Sequence, residues 1–169
     1  VVSLPCILVS IVIKLSSPGP ILYWSGRMGI NNKIFSMPKF RSMFIEAPEV
    51  ASEKLTDPEK YITVVGRFLR MSSFDELPQL YSVLVGDMSL VGPRPALHTQ
   101  KFLIKKRAEV GVSRIRPGIT GLAQVENRRN SSDKKKLELD LEYLRKMNLI
   151  YDVKILFLTI SVIFRNTNI

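Results

Sequence analysis

The sequence has 169 residues, 46% of them hydrophobic, and a formal net charge of +10. This composition suits one domain with a real core and excludes a disordered chain. A single cysteine, Cys6, excludes an internal disulfide framework, and a single histidine, His98, excludes a histidine-based metal cluster. The charge predicts an anionic partner, which could be a phosphorylated substrate, an acidic lipid surface or a nucleic acid.

The chain opens on an apolar segment, residues 1–13, which contains Pro5 and ends at Lys14. The segment is shorter than the about 20 residues that a helix needs to cross hydrocarbon. Because the sequence begins at Val1 without a methionine, we expect the first part of a membrane segment to be missing. A hydrophobic helix broken at Pro5 that enters and leaves on one face is one interpretation, since proline breaks or kinks helices. An ordinary spanning helix and a buried core helix are the alternatives.

Two extended segments joined by a turn are predicted next. Arg27 to Phe35 has the pattern of a hairpin, because Asn31-Asn32 can adopt the positive φ of a tight turn. Lys39 to Met43 alternates as a strand does, with Lys39 and Arg41 on one side. Such an alternation is ordinarily a solvated face.

A pair of carboxylates, Asp75 and Glu76, precedes a run of apolar residues with helical spacing. Ser73 and Glu76 have the spacing of a capping box, whereas Asp75 as N-cap would put Pro78 in the first turn. Either start places the pair at the positive end of a helix, which favours the ionised form. Acidic residues there are often simple caps, so a functional role depends on the motifs that follow.

The next motif, Gly86 to Pro95, holds Arg94 between two prolines, and this predicts a rigidly presented guanidinium suited to forked phosphate recognition. Three more helices are predicted, at 96–110, 137–146 and 149–164. In the first, Arg107 is expected on the polar side. In the second, Asp140 lies off the apolar face and is expected to point into a site or into water. The third suits a helix lying in a membrane interface better than a span, with a core helix as the alternative.

Taken together, the motifs resemble the bacterial sugar transferase family, the monotopic polyprenol-phosphate phosphoglycosyl transferases. The segments that carry the resemblance are Ser17-Pro18-Gly19-Pro20, Lys39-Phe40-Arg41-Ser42-Met43, Gly66-Arg67-Phe68-Leu69-Arg70, 73–80, 86–95, 116–121, Ala123-Gln124-Val125 and Glu138-Leu139-Asp140. Each segment is weak alone. Their number and their order, from about Pro5 to Phe164, make the resemblance specific.

The resemblance implies an α+β fold, mostly helical with a small β-hairpin. It implies membrane association through a re-entrant N-terminal helix, truncated here, and through amphipathic interfacial helices. Residues 1–17 would be the outgoing half of the anchor, and residues 18–169 a phosphoglycosyl transferase domain on the cytoplasmic face of the bacterial cytoplasmic (inner) membrane.

The resemblance also implies the chemistry. Asp75 would attack the β-phosphate of a UDP-sugar, release UMP and form an aspartyl phosphosugar, which polyprenol (undecaprenyl) phosphate would then resolve. Glu76 would bind Mg²⁺. Basic positions that match family motifs and are expected near phosphates are Lys39, Arg41, Arg67, Arg94, Arg116 and Arg128. The chain departs from the family at Glu126-Asn127-Arg128-Arg129, where Asn-Gly-Arg-Asn is usual and only Arg128 stays in register.

The implied partners are a UDP-sugar, polyprenol phosphate and inner-membrane lipids, with downstream glycosyltransferases as further candidates. The product would be the first membrane intermediate of a capsule, O-antigen, exopolysaccharide or glycoprotein glycan. Nucleic acid is not expected, because the basic residues are scattered among loops and no nucleic-acid motif occurs. The competing hypothesis is a catalytically silent membrane-surface scaffold of a glycan-assembly complex. The altered loop motivates it, and the retention of Asp75 and Glu76 weighs against it.

Overall fold

The computed structural model describes residues 3–48, 57–126 and 132–166. In chain order its helices and strands are α1 (Ser3–Ser16), β1 (Leu22–Met28), β2 (Ile34–Phe40), α2 (Val64–Ser72), α3 (Gln79–Leu84), β3 (Ser89–Val91), α4 (Lys101–Glu109), β4 (Gly118–Thr120), α5 (Leu122–Glu126), α6 (Asp133–Lys146) and α7 (Leu149–Asn166). These elements confirm an α+β fold that is mostly helical with small sheets.

The predicted hairpin is present and longer than expected. Strands β1 and β2 pair antiparallel from Leu22 opposite Phe40 to Met28 opposite Ile34. Asn31 and Asn32 form the turn with φ of 53° and 58°, which asparagine tolerates better than most residues. Strand β2 ends at Phe40, before Arg41, so Lys39 and Arg41 do not share one strand face as predicted.

A second, parallel sheet was not predicted from the sequence. Strands β3 and β4 pair at Ser89 with Gly118 and at Val91 with Thr120. A Cβ on Gly118 would lie 2.1 Å from the Gly92 nitrogen, so these two backbone segments approach as only glycine allows. The pairing holds the Arg94-containing loop next to the loop before β4.

The predicted helix start at the carboxylate pair is wrong. Ser73 adopts the left-handed conformation, Phe74–Glu76 form a single 3₁₀ turn, and α3 begins only at Gln79. The N-cap residue of the turn, Ser73, makes no side-chain cap bond, and neither does Pro78 at the N-cap of α3, so the capping box is not formed. Pro78 is the physical reason, because it has no N–H to continue a helical ladder and favours a helix start.

The other predicted helices are confirmed with shifted ends. Helix α4 begins at Lys101 rather than at residue 96, and α6 begins at Asp133, where the Ser132 hydroxyl accepts a hydrogen bond from the Lys135 amide at 3.3 Å. Helix α7 starts at Leu149 as predicted. None of the helices that the structure describes has the length and apolar character that crossing a bilayer requires.

Two apolar clusters form the core. One joins Ile13 of α1 to Phe40 and Leu69, and the other joins β3, α5, α6 and α7 around Ile155, which is fully buried. The opposite sides of α1 and α7 remain exposed. Their large exposed apolar side chains are Leu4, Ile7, Leu8, Ile11, Val12 and Leu15 on α1, and Leu149, Ile150, Val153, Phe157, Leu158 and Ile160 on α7.

Candidate active site

An open cavity of about 1020 Å³ contains the two adjacent carboxylates in its lining. Three cations that line the same cavity lie close enough to shift the pKa of Asp75, namely Lys39, Arg70 and Arg94. They come from β2, from α2 and from the loop between the two prolines. The fold therefore gathers charge from three separate segments around Asp75 and Glu76.

Glu76 is the paired member of the two carboxylates. Its Oε1 accepts a hydrogen bond from Lys39 Nζ at 3.0 Å and another from Arg94 Nη2 at 2.9 Å. Burial alone would raise the pKa of Glu76, but the charges of Arg94 and Lys39 outweigh it and hold that pKa well below its usual range. Glu76 is therefore an anion with two fixed cationic partners.

Asp75 has the opposite electrostatic character. Burial raises the pKa of its carboxyl; the Lys39 charge opposes this, the Glu76 charge adds to it, and Arg70 and Arg94 oppose it more weakly. Two neighbouring carboxyls whose pKa values are pushed in opposite directions are typical of a site with two chemical roles.

The end of β2 positions Lys39. Phe40, the next residue, points into the apolar cluster with Leu69, so Lys39 points to the other side of the strand, toward Glu76. Burial lowers the pKa of the Lys39 ammonium, and the Glu76 carboxylate opposes that shift. The side chain is 15% exposed, so its charge acts with little screening.

The loop between the two prolines is fixed from two sides. The Arg27 guanidinium donates to the Pro95 carbonyl at 3.3 Å, and Arg107 Nη1 donates to the Arg94 carbonyl at 2.8 Å. The Arg94 side chain is 46% exposed and points to Glu76. The Arg94 guanidinium is therefore held in place by hydrogen bonds to the loop backbone as well as by the two prolines.

Arg41 lines the cavity, but its guanidinium is committed to the backbone. It is buried and donates to the Ser17 carbonyl and hydroxyl, each at 2.8 Å, and to the Pro18 carbonyl at 2.5 Å. These bonds tie the segment after α1 to the end of β2. The observed contacts of Arg41 are therefore those of a structural residue.

Two other basic positions lie away from the carboxylates. Arg67 is exposed on α2 and pairs with Glu59 at 2.9 Å. Arg116 Nε donates to the Gly86 carbonyl at 2.8 Å, and neither residue lines the cavity. Arg128 lies outside the described residues.

Two residues near the site are absent from the candidates named from the sequence, although one of them, Arg70, is close to the carboxylates along the chain. Arg70 lines the cavity and donates to the Ser42 hydroxyl at 2.9 Å. Its position four residues after the buried Gly66 is a helical signal that could have separated it from Arg67. Arg107 is predicted on the polar side of its helix and Asp140 in a site or in water, but the two side chains are buried against each other. Periodicity gave no sign of this pair, since charged residues on a helix are ordinarily exposed.

The two carboxylates suit a metal ion that a substrate helps to bind. Within the described ranges, no group of three or more His, Cys, Asp or Glu side chains could hold an ion without other ligands. Magnesium is usually held by one or two carboxylates together with phosphate oxygens. The described ion pairs of Glu76 both use one carboxylate oxygen, Oε1, so its second oxygen can serve as a metal ligand. The residues present therefore fit Mg²⁺ bound jointly with a diphosphate.

Comparison with known proteins gives a consistent result. The model of the bacterial sugar transferase family matches residues 1–166. The chain is 38% identical over 159 residues to the UDP-glucose:undecaprenyl-phosphate glucose-1-phosphate transferase of Escherichia coli (strain K12), covering 90% of this chain and 34% of that protein. It is 41% identical over 165 residues to the undecaprenyl-phosphate glucose phosphotransferase of Komagataeibacter xylinus, covering 91% and 31%.

A third relative differs in its sugar. The UDP-N-acetylgalactosamine-undecaprenyl-phosphate N-acetylgalactosaminephosphotransferase of Aeromonas hydrophila is 38% identical over 159 residues, covering 91% of this chain and 38% of that protein. The chain thus spans about a third of the length of these curated relatives.

Proposed function

We propose that this chain, which belongs to the bacterial sugar transferase family, transfers a sugar 1-phosphate from a UDP-sugar to undecaprenyl phosphate and releases UMP. The names of its relatives support this substrate class and differ in the sugar, which is glucose in some and N-acetylgalactosamine in another, so the sugar stays open. The observation that carries the proposal is the pair Asp75 and Glu76, whose pKa values are shifted in opposite directions beside Lys39 and Arg94.

In the first step, the Asp75 carboxylate attacks the β-phosphorus of the UDP-sugar. The new bond joins Asp75 to the phosphorus, the bond to the UMP oxygen breaks, and UMP leaves with its electron pair. A carboxylate whose pKa is raised by burial is a poorly solvated anion, which makes it a better nucleophile. Lys39, Arg70 and Arg94 offset the negative charge that the diphosphate brings toward it.

In the second step, a phosphate oxygen of undecaprenyl phosphate attacks the phosphorus of the aspartyl phosphosugar. The acyl phosphate bond breaks, Asp75 leaves as a carboxylate, and the product is an undecaprenyl diphosphate sugar. Glu76 stays ionised throughout because its pKa is so low, and it would hold Mg²⁺ together with the diphosphate oxygens. The bound ion would neutralise charge on the transferred phosphoryl group.

The proposal includes a location, the cytoplasmic face of the bacterial cytoplasmic membrane. The exposed apolar faces of α1 and α7 support it, because residues such as Leu8, Ile11 and Phe157 leave large side chains uncovered. Tyr23 and Trp24 line the cavity and are about half exposed, which suits the headgroup level. Residues 1–17 would form the outgoing half of the re-entrant anchor. At this location a nucleotide from water and a phosphate on a lipid could both reach Asp75.

The decisive experiment traps the intermediate. The chain in detergent micelles is mixed with Mg²⁺ and either UDP-glucose or UDP-N-acetylgalactosamine, without a lipid acceptor, and intact-protein mass and UMP are measured together. The wild type is expected to gain one sugar phosphate and release one equivalent of UMP, and Asp75→Asn to do neither. Asp87→Asn is the matched control, because Asp87 is exposed and does not line the cavity.

Each outcome has a distinct meaning. An adduct that still forms in Asp75→Asn would assign the nucleophile to another residue. If the folded wild type releases no UMP from any UDP-sugar, with or without undecaprenyl phosphate, the silent-scaffold hypothesis becomes the better one.

A further inference from the structure

A buried ion pair lies directly behind the Arg94 loop. Arg107 of α4 donates from Nε at 2.8 Å and from Nη2 at 2.6 Å to Asp140 Oδ2 of α6. The two side chains are 10% and 2% exposed. The remaining guanidinium nitrogen, Nη1, donates to the Arg94 carbonyl at 2.8 Å.

The arrangement fixes the guanidinium plane. The bonds from Nε and Nη2 converge on one carboxylate oxygen, and a planar guanidinium held by two of its nitrogens has little rotational freedom, so the third nitrogen has a set position. That position determines where the Arg94 carbonyl sits. The side chain of Arg94 then reaches Glu76 Oε1 at 2.9 Å from this anchored backbone. A continuous set of contacts therefore connects α6 to the candidate active site.

We propose that Asp140 and Arg107 are positioning residues, which hold the Arg94 guanidinium against Glu76 in the geometry that receives the diphosphate. The kinetic part of this inference rests on the proposed function. Stability alone is a weak explanation of the pair, because buried ion pairs often contribute no more than apolar residues of the same size. Positioning explains the third bond, since a shift of a catalytic group by about 1 Å costs up to about a hundredfold in rate.

The informative substitution is Arg107→Lys. Lysine keeps the positive charge beside Asp140, but its single nitrogen cannot reproduce the fork to Asp140 and the bond to the Arg94 carbonyl together. Tyr143→Phe is the matched control. Tyr143 lies on α6, as Asp140 does, and its loss removes a part-buried hydrogen bond to Asp152 at 2.8 Å and a buried one to the Val91 carbonyl at 3.3 Å, without touching Arg107. Thermal melting of both variants gives the stability loss that each causes.

The first readout does not depend on activity. Phenylglyoxal modifies arginine side chains, and peptide mass spectrometry follows the rate at Arg94. Arg107→Lys is expected to raise this rate severalfold, because a guanidinium released from its pairing is more reactive and more exposed. Tyr143→Phe is expected to leave the rate at the wild-type value even if its melting temperature falls as far. Equal rates in all three proteins would overturn the inference.

The second readout is a double-mutant cycle on UMP release. Arg107→Lys alone is expected to lower kcat/KM about tenfold, the size of one lost bond to a charged group. In an Arg94→Ala background it is expected to lower kcat/KM no more than about twofold, since no Arg94 side chain remains to be positioned. Equal losses in both backgrounds would show a purely structural pair and overturn the inference. A wild type that releases no UMP would refute the proposed function, and the labelling rates would still decide the role of Arg107.

Discussion

A methyl group at residue 66 should displace the helix that leads to the carboxylate pair. A Cβ built on Gly66 would lie 1.9 Å from the Ser42 carbonyl oxygen and 2.5 Å from the Ser42 carbonyl carbon. Ordinary contact begins at 3.4 Å, so α2 would have to withdraw from the end of β2 by about 1.5 Å. The obstacle is backbone and cannot rotate away.

The expected loss of stability follows from three contributions. Overpacking costs about 1–3 kcal/mol. The hydrogen bond from the Thr63 amide to the same carbonyl, 3.1 Å long, would be weakened, which costs about 1 kcal/mol more. The helix preference of alanine over glycine returns about 1 kcal/mol. Gly66→Ala should therefore lower the free energy of unfolding by about 2 kcal/mol, a fall in Tm of about 4–8 °C for a chain of this size.

Thermal melting followed by circular dichroism measures this change. Gly26→Ala is the matched control, because the nearest atom to its added Cβ is 3.9 Å away and its φ is ordinary, so its Tm should stay near the wild-type value. Arg70 and Asp75 follow Gly66 on the same segment, so a displaced α2 would move both side chains. The rate of UMP release by Gly66→Ala should therefore be lower than that of the wild type even at temperatures well below its Tm. A Gly66→Ala protein with the wild-type Tm would refute the close approach of α2 to Ser42.

Three further results are expected. Lys39→Met removes a charge that lowers the pKa of Asp75, so the acid side of the pH profile of UMP release should move to higher pH. Lys33→Met, a distant substitution, should leave the profile in place. An unmoved profile in Lys39→Met would contradict the role of Asp75 as nucleophile. Chelation by EDTA should stop UMP release and added Mg²⁺ should restore it, and release that continues in EDTA would mean that no divalent ion takes part. Ile11→Glu should weaken co-sedimentation with phosphatidylglycerol vesicles by about tenfold or more. Phe102, on α4, is an equally exposed apolar residue, and Phe102→Glu should not weaken it. An equal loss in both variants would contradict a specific membrane contact of α1.

Local signals in the sequence were enough for the elements whose causes are local. Asn31-Asn32 predicted the hairpin because the turn depends on the conformational tolerance of those two residues. The apolar run from Leu149 predicted α7 for the same kind of reason. Pro78 is compatible with a helix capped by Asp75, as predicted, but the left-handed Ser73 ends α2 and α3 begins only after the proline. Where the next helix begins therefore depends on where α2 packs, and the local sequence does not show that.

The amino-acid sequence supplies the side chains of the site, namely an Asp75-Glu76 pair, an arginine between two prolines and many scattered cations. Which of these cations reach the carboxylates depends on the packing of distant segments. Lys39 lies 37 residues from Glu76 along the chain, and the packing of β2 against α3 and the 3₁₀ turn at 74–76 brings it within 3.0 Å. Arg107 and Asp140, 33 residues apart, became a buried pair by the same kind of packing. The physical reason is that a charged side chain shows the same sequence pattern whether it meets water or a partner, and only distant segments of the folded chain supply the partner.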